Sequence, residues 1–311
     1  MLRYLDDYLL YLQTNNYSPE TVYNYERDLT VFDNFLVNNN FNFEKLTRRE
    51  VEQFKAYLNS RDRETAGGLS PTSSNKLRAR SMNRILSAVR SYLRYLIEMD
   101  LKCPVSPEVV KMIKMEKKHA QVAELNDLIK LIESPTVFEG DKRIAIRNRA
   151  MLEVLFSTGM RISELINLKT SQIDDSGKIF ILGKGKKERF VYLTPRAFKF
   201  LQEYIRGRQS KSEYLFIPYR GANASDIHKR ISPNYLQMKI KQYREILHIN
   251  VPTSAHSLRH GFATYLAESG ANPVAIQLLL GHESLETTTR YVHASDRYAE
   301  KTHQDFHPLK K

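Results

Sequence analysis

Apolar residues in the first hundred positions recur at intervals of three and four, which is typical of helices that bury one face. Ser18, followed by a proline, indicates a helix start, and apolar residues follow at helical spacing through Leu36. Thr47 and Glu50 form a capping box that opens a second helix. A long helical pattern then covers residues 76–97. This part of the chain is predicted to be all-helical.

The spacing of apolar residues changes in the second half of the chain. A helical pattern over residues 144–156 is expected to end at Gly159, since glycine readily adopts the left-handed conformation that closes a helix. Apolar runs at 179–182 and 190–193 flank a short turn and predict a β-hairpin. Helical patterns resume at Pro195. The predicted fold class is therefore mainly α with a small β-sheet, the second half being an α+β domain.

Regular patterning stops between the two halves. Pro104 and Pro107 interrupt it, and a lysine-rich stretch follows. A chain of 311 residues is also long enough for two cores. We expect a helical domain at residues 1–110, a basic linker at 111–121, and a second domain with a C-terminal tail at 122–311.

The charge balance points to a polyanionic partner. The chain has 48 Lys and Arg against 35 Asp and Glu, which gives a net charge of +13. Nucleic acid is the expected partner, although basic proteins also bind anionic membranes. No apolar run approaches the roughly 20 residues that span a bilayer, and no export signal is visible. The single cysteine, Cys103, excludes an intrachain disulfide and a cysteine zinc site. We expect a cytoplasmic protein without a membrane partner.

Basic residues form a stripe within the third helical pattern. Lys76, Arg80 and Arg84 recur every fourth residue, and Arg90 continues the charge. A solvated helix face and a phosphate-facing stripe both fit this pattern. Because few carboxylates interleave with it, we treat these four as candidate DNA-binding residues.

Two arginines in the second half are candidates for binding a phosphate. Arg161 and Arg259 can each clamp non-bridging oxygens through two hydrogen bonds and oppose the charge of a pentacoordinate transition state. Glu164, three residues after Arg161, is either a surface ion-pair partner or a group that orients Arg161. We interpret it as the orienting group.

Histidines accompany Arg259. His256 precedes it by three positions and His260 follows directly, so all three are neighbours on a helix. Histidines four apart can ligate zinc, but the arginine between them and the lack of a nearby carboxylate disfavour a metal. No phosphate-binding glycine loop of the ATPase type is present. We therefore expect no cofactor and no metal.

A lysine-rich turn supplies a candidate general acid. Lys184 lies between two glycines at the tip of the predicted hairpin, where the backbone can approach DNA closely. Lys186 and Lys187 compete for that role and are also candidate DNA-binding residues.

The candidate nucleophile is Tyr291, nine positions beyond His282. Most of the 18 tyrosines in such a chain are structural. A phenol with a pKa near 10 is a poor nucleophile unless cations and hydrogen bonds surround it and its target. The neighbouring basic motifs offer that environment.

Together these residues resemble the tyrosine recombinase, or phage integrase, family, and its Xer-like branch in particular. The residues that carry the resemblance occur in family order: Arg161, Lys184, His256, Arg259, His282 and Tyr291. The resemblance covers nearly the whole chain. It implies a SAM-like helical core-binding domain and a catalytic domain that form a C-shaped clamp on DNA.

The resemblance also implies a reaction. Tyr291 attacks the scissile phosphate to give a 3′-phosphotyrosyl bond, and Lys184 protonates the departing 5′ oxygen. His256 assists proton movement and His260 supports the site. The transition state is stabilised by three side chains, those of Arg161, Arg259 and His282. A 5′-hydroxyl from a partner duplex reseals the strand without ATP or metal.

The same resemblance implies an assembly. The partner is double-stranded DNA with inverted-repeat half-sites, bound by a homo-tetramer or by a hetero-tetramer with a paralogue that exchanges C-terminal tails and passes through a Holliday junction. The biological role is dimer resolution or element integration and excision on the nucleoid. Two alternatives remain, a type IB topoisomerase-like nicking and resealing enzyme and a non-catalytic DNA-binding factor.

Overall fold

The computed structural model describes residues 2–60, 77–115, 121–182, 188–221, 226 and 228–281. Its contacts divide the chain into two compact units, Met1–Lys118 and His119–Lys311. No helix in these ranges is long and apolar enough to cross a membrane.

The first unit is helical throughout its described part. Its helices are α1 (Leu5–Thr14), α2 (Pro19–Asn38), α3 (Arg48–Asn59) and α4 (Ala79–Glu98), with short 3-10 turns at Phe43–Lys45 and Pro107–Val109. The predicted helix starts are confirmed, because the Ser18 side chain accepts a hydrogen bond from the Thr21 amide and Thr47 and Glu50 form the capping box.

Aromatic packing fills the core of this unit. Phe32 of α2 and Phe54 of α3 are buried with ring centroids 4.7 Å apart. Tyr8 of α1 meets Tyr92 of α4 edge-on at 5.5 Å. The buried faces of the four helices thus close on one another, as their apolar spacing predicts.

The second unit surrounds one central helix. Its elements are α5 (Leu125–Glu133), α6 (Pro135–Phe138), α7 (Lys142–Thr158), α8 (Ile162–Asn167), β1 (Lys178–Leu182), β2 (Glu188–Tyr192), α9 (Pro195–Gly207), α10 (Pro233–Ile246), α11 (Ala255–Glu268) and α12 (Pro273–Leu280), with a 3-10 turn at Thr170–Gln172. Helix α7 packs against α6, α9 and α11. Twelve of its 17 residues are buried.

The predicted hairpin is confirmed. Strands β1 and β2 pair antiparallel, and the register places Ile179 opposite Val191, both fully buried. Alternation puts Ile181 on the same face. The fold class is therefore mainly α with a small two-stranded sheet.

Helix α7 ends at Gly159 in the left-handed conformation, with φ of 61°. The glycine is needed there because a Cβ would collide with the Phe262 ring. Because α7 ends there, Arg161 follows two residues later and is the N-cap of α8.

Candidate active site

Arg161 and Glu164 contact each other at the start of α8. The Arg161 amide donates to Glu164 Oε2 at 2.7 Å, and its Nη1 donates to Oε1 at 3.0 Å. The Glu164 side chain is only 8% exposed, whereas that of Arg161 is 39% exposed. The carboxylate is therefore fixed inside the protein while the guanidinium reaches the surface.

A second arginine, which the sequence did not single out, binds the same carboxylate. Arg189 of β2 donates Nη1 to Glu164 Oε1 at 2.9 Å and Nη2 to Oε2 at 2.6 Å. Burial acts to raise the pKa of Glu164, but the hydrogen bonds from Arg189 and the Arg161 amide hold that pKa below its ordinary value. Glu164 is thus an ionised, doubly paired carboxylate.

Strand alternation could have revealed Arg189. It shares a strand face with Val191, which is fully buried. An arginine on the core face of a strand requires an anion or carbonyl partner inside the protein. That signal was present in the predicted hairpin but lay one residue before the apolar run.

Three guanidinium groups meet the carboxyl end of α12. The main-chain carbonyls there are those of Leu279, Leu280 and Gly281. They accept, in that order, from Arg189 Nε at 3.0 Å, Arg259 Nη2 at 2.7 Å and Arg161 Nη2 at 3.4 Å. The last carbonyls of a helix lack intrahelical partners and carry partial negative charge, which explains why cations gather here.

Arg259 is buried in α11, with 4% exposure. Besides the carbonyl of Leu280, it donates Nη1 to the carbonyl of Gly159 at 2.7 Å. Arg259 thereby connects the end of α7 with the end of α12, where its acceptor Leu280 is adjacent to Gly281, the acceptor of Arg161. The structure brings together the two arginines that the sequence proposed as phosphate clamps.

His256 and His260 form a pair on α11. Their Nε2 atoms are 2.9 Å apart, and the rings are nearly perpendicular. One nitrogen must donate and the other accept, so the two tautomers are coupled. His256 is exposed and His260 is partly buried. Among the described residues, no group of three or more potential ligands could hold a metal ion.

Several predicted site residues lie outside the described residues. They are Lys76, Lys184, Lys186, Lys187, His282 and Tyr291. The described chain nevertheless leads up to two of these segments. Leu182 pairs with Glu188 on either side of the lysine turn, and Gly281 directly precedes His282 in the sequence.

The candidate DNA-binding arginines of α4 differ in their surroundings. Arg80 is exposed. Arg84 pairs with the buried carboxylate of Asp28 at 2.8 Å but keeps half of its side chain exposed. Arg90 is partly buried and donates Nη2 to the carbonyl of Val110 at 2.6 Å. The solvent exposure of these three arginines therefore decreases along the helix.

Comparison with known families matches most of the chain. The model described as Phage integrase family matches residues 117–297, and the one described as Phage integrase, N-terminal SAM-like domain matches residues 5–99. Tyrosine recombinase XerD of Staphylococcus epidermidis is 30% identical over 312 residues, with 98% of each chain covered. Tyrosine recombinase XerC of Pelobacter propionicus is 33% identical, with 94% of this chain and 91% of the relative covered.

Solved structures share the fold. XerH recombinase bound to difH substrate in a pre-cleavage complex has a TM-score of 0.67 and 21% identity, covering 90% of this chain and 78% of that one. A lambda integrase dimer bound to a COC′ core site has a TM-score of 0.68 and 17% identity, covering 94% and 77%. These similarities extend across both units of the chain.

Proposed function

Because the chain belongs to the phage integrase family, the tyrosine recombinases, we propose that it is a site-specific recombinase that cuts and rejoins double-stranded DNA. The observation that carries this proposal is the convergence of Arg161 and Arg259 on the end of α12, immediately before His282 in the sequence. The topoisomerase-like alternative is not favoured, since the relatives that match nearly the full chain are recombinases.

In the proposed reaction, the Tyr291 oxygen attacks the scissile phosphorus and loses its proton, with His256 assisting. A phosphotyrosyl bond forms at the 3′ end, and the bond to the 5′ oxygen breaks. Lys184 gives that oxygen a proton, with Lys186 and Lys187 as competitors. A 5′-hydroxyl from another duplex reverses these steps, so the bond energy is conserved and no ATP or metal is required.

The described side chains suit the charge that such a reaction develops. Arg161 and Arg259 offer planar donors to the non-bridging oxygens, which matches phosphate better than lysine does. Glu164 carries one negative charge, but Arg189 also neutralises it, so the cluster remains net positive. Fixed donors of this kind stabilise a transition state without reorganising. His282 and His260 complete the proposed site.

The relatives also suggest the form of the assembly. The XerH structure contains its difH substrate, and the lambda integrase structure is a dimer on a core site. For this chain we propose a helical core-binding domain at residues 1–110, a linker at 111–121 and a catalytic domain at 122–311. Four protomers, identical or shared with a paralogue, exchange C-terminal tails on inverted-repeat half-sites of nucleoid DNA. The role is dimer resolution or element movement.

Covalent capture tests the proposed nucleophile. Purified chain is mixed with duplexes carrying randomised inverted repeats, and DNA that stays bound after denaturation is sequenced. The recovered duplex then serves as the probe. It is nicked near the cleavage point, so that the short cut strand diffuses away and the adduct cannot be resealed. Wild type should accumulate a covalent adduct. Tyr291→Phe should bind this probe but form no adduct, while Tyr192→Phe, which alters an exposed phenol on β2, should form it normally.

A second measurement separates a recombinase from a nicking and resealing enzyme. With two copies of the recovered site, a recombinase yields branched junctions and exchanged products. Relaxation of supercoiled plasmid by dilute protein without such products would support the topoisomerase alternative. Binding without any adduct would support the non-catalytic one.

A further inference from the structure

Arg189 lies at the centre of the arginine cluster, between the carboxylate that orients Arg161 and the end of α12. Resting on the proposed function, we propose that Arg189 is a positioning residue for strand cleavage. It keeps Glu164 paired and fixes the end of α12, so that Arg161 is free to bind the scissile phosphate.

The first support is that all three nitrogens of the Arg189 guanidinium donate hydrogen bonds inside the protein. Nη1 and Nη2 each donate to one oxygen of Glu164, and Nε donates to the carbonyl of Leu279. Its side chain is 8% exposed. A side chain held in this way does not extend to DNA, and its planar fork fixes both partners at once.

The second support is the sharing of Glu164. The carboxylate accepts from Arg161 and from Arg189, but only Arg161 is substantially exposed. When Arg161 turns toward a phosphate, Arg189 still satisfies both carboxylate oxygens. Without Arg189, the buried carboxylate would depend on Arg161 for charge compensation, because an unpaired buried charge is strongly unfavourable. Glu164 would then compete with the phosphate for Arg161.

The third support is the close approach of Arg189 to Gly281. Gly281 has φ of 63°, and a Cβ built on it would lie 3.1 Å from Arg189 Cδ and 3.2 Å from Nη1. Arg189 therefore packs directly against the backbone where the chain leaves α12. The next residue in the sequence is His282, so the contact with Arg189 fixes the point from which the segment with His282 and Tyr291 starts.

Substitution of Arg189 tests the proposal on the recovered duplex. Arg189→Lys keeps one charge but loses the fork. We expect the first-order rate of adduct formation to fall about 10²-fold, as for a misplacement on the order of 1 Å, while the dissociation constant for the duplex stays within a few-fold of wild type. Arg149→Lys is the matched control, because Arg149 is also buried and pairs with Glu153 at 2.8 Å on α7. It should cleave at nearly the wild-type rate with a similar change in melting temperature.

A rescue experiment distinguishes positioning from general support of the fold. In Arg189→Met, Arg161 is the only one of these two arginines that still pairs with Glu164. This variant should cleave slowly. Adding Glu164→Gln removes the competing charge, so the double variant should cleave faster than Arg189→Met. If each substitution only weakened the fold, their effects on the cleavage rate would add, and the double variant would cleave no faster than Arg189→Met.

The proposal is overturned if Arg189→Lys cleaves at the wild-type rate, if Arg149→Lys loses as much activity, or if duplex affinity falls by the same factor as the rate. Absence of rescue in the double variant overturns it as well. Failure of the proposed function looks different, since wild type would then form no adduct that depends on Tyr291.

Discussion

The buried guanidinium of Arg259 donates a 2.7 Å hydrogen bond to the main-chain carbonyl of Gly159, a residue 100 positions earlier in the chain. Gly159 also lies against the ring of Phe262, which belongs to the same helix as Arg259. One polar and one apolar contact therefore join the end of α7 to α11 at Gly159. Both contacts involve Gly159, which lies two residues before Arg161, so they constrain where α8 begins.

Replacing Gly159 with alanine should disturb this junction. The added Cβ would lie 2.7 Å from Phe262 Cε1, and the positive φ of 61° disfavours any side chain. We expect a loss of about 1–3 kcal/mol in the free energy of unfolding, as for overpacked sites, measured by urea denaturation. Gly140→Ala is the control, since nothing lies within 4 Å of its Cβ position. Equal stability of the two variants would contradict the packing described here.

Arg161 and Arg259 should contribute differently to stability but alike to cleavage. Alanine at either position should slow adduct formation by about 10² or more, as for loss of other preorganised donors. Arg259→Ala should also lower the melting temperature, because it leaves the carbonyls of Gly159 and Leu280 without this donor in a buried place. Arg161→Ala should melt close to wild type, since its side chain is 39% exposed. Wild-type cleavage by Arg161→Ala would exclude Arg161 as a clamp.

The sequence predicted local structure well where one residue type decides it. Ser18 and Thr47 begin helices and Gly159 ends one as expected, because caps and left-handed positions depend on a few neighbouring atoms. The spacing alone predicts the third helical pattern at residues 76–97, whereas the helix found there, α4, runs Ala79–Glu98. Helix ends depend on caps as well as on spacing, and here Arg78 caps without a side-chain hydrogen bond.

The candidate site was predictable only in part. Sequence spacing suggested that Glu164 orients Arg161, and the two do make contact. It did not reveal Arg189, nor that all three arginines contact the end of α12, because those contacts join segments far apart in the chain. Spacing also gave no indication that Asp28 of another helix pairs with Arg84. Tertiary contacts of charged side chains are not encoded in helical periodicity.

Arg80 and Arg90 of α4 should differ in how much each contributes to the salt dependence of DNA binding. Arg80 is exposed, so Arg80→Ala should reduce the slope of log K against log salt by about 0.9, the value for one phosphate contact. Arg90 already donates to the carbonyl of Val110, so Arg90→Ala should mainly lower the melting temperature. The two quantities are measured by fluorescence anisotropy at several salt concentrations and by thermal denaturation. A smaller slope for Arg90→Ala than for Arg80→Ala would reverse this assignment.

Cleavage should proceed without metal or nucleotide, because the proposed charges come from side chains and the phosphotyrosyl bond stores the energy of the cleaved link. Wild-type chain is dialysed against chelator, and adduct formation on the nicked duplex is timed with and without added Mg²⁺ or ATP. We expect the same rate constant under all conditions once ionic strength is matched. A strong dependence on Mg²⁺ at constant ionic strength would require a metal site that the proposal lacks.

Asp28 should make the stability of the first unit depend on pH. Burial raises the pKa of its carboxyl from 3.8 to about 6, although Arg84 and Arg27 act in the opposite direction. The folded state then binds the proton more tightly than the unfolded state, so stability rises as pH falls from about 6 to about 4. Above pH 6 the carboxylate is ionised in both states, and the cost of burying it is fully present.

Asp28→Asn should remove this dependence, because an amide keeps the shape without titrating. Hydrogen exchange of α2 and α4 amides in the full chain, corrected for intrinsic rates, measures the local stability at several pH values. Protection in wild type should increase toward lower pH, and in Asp28→Asn it should stay nearly constant and exceed wild type at pH 7. Glu52→Gln, which alters the exposed carboxylate that pairs with Lys55, should behave like wild type. If Asp28→Asn retained the wild-type pH profile, another group would have to carry the titration.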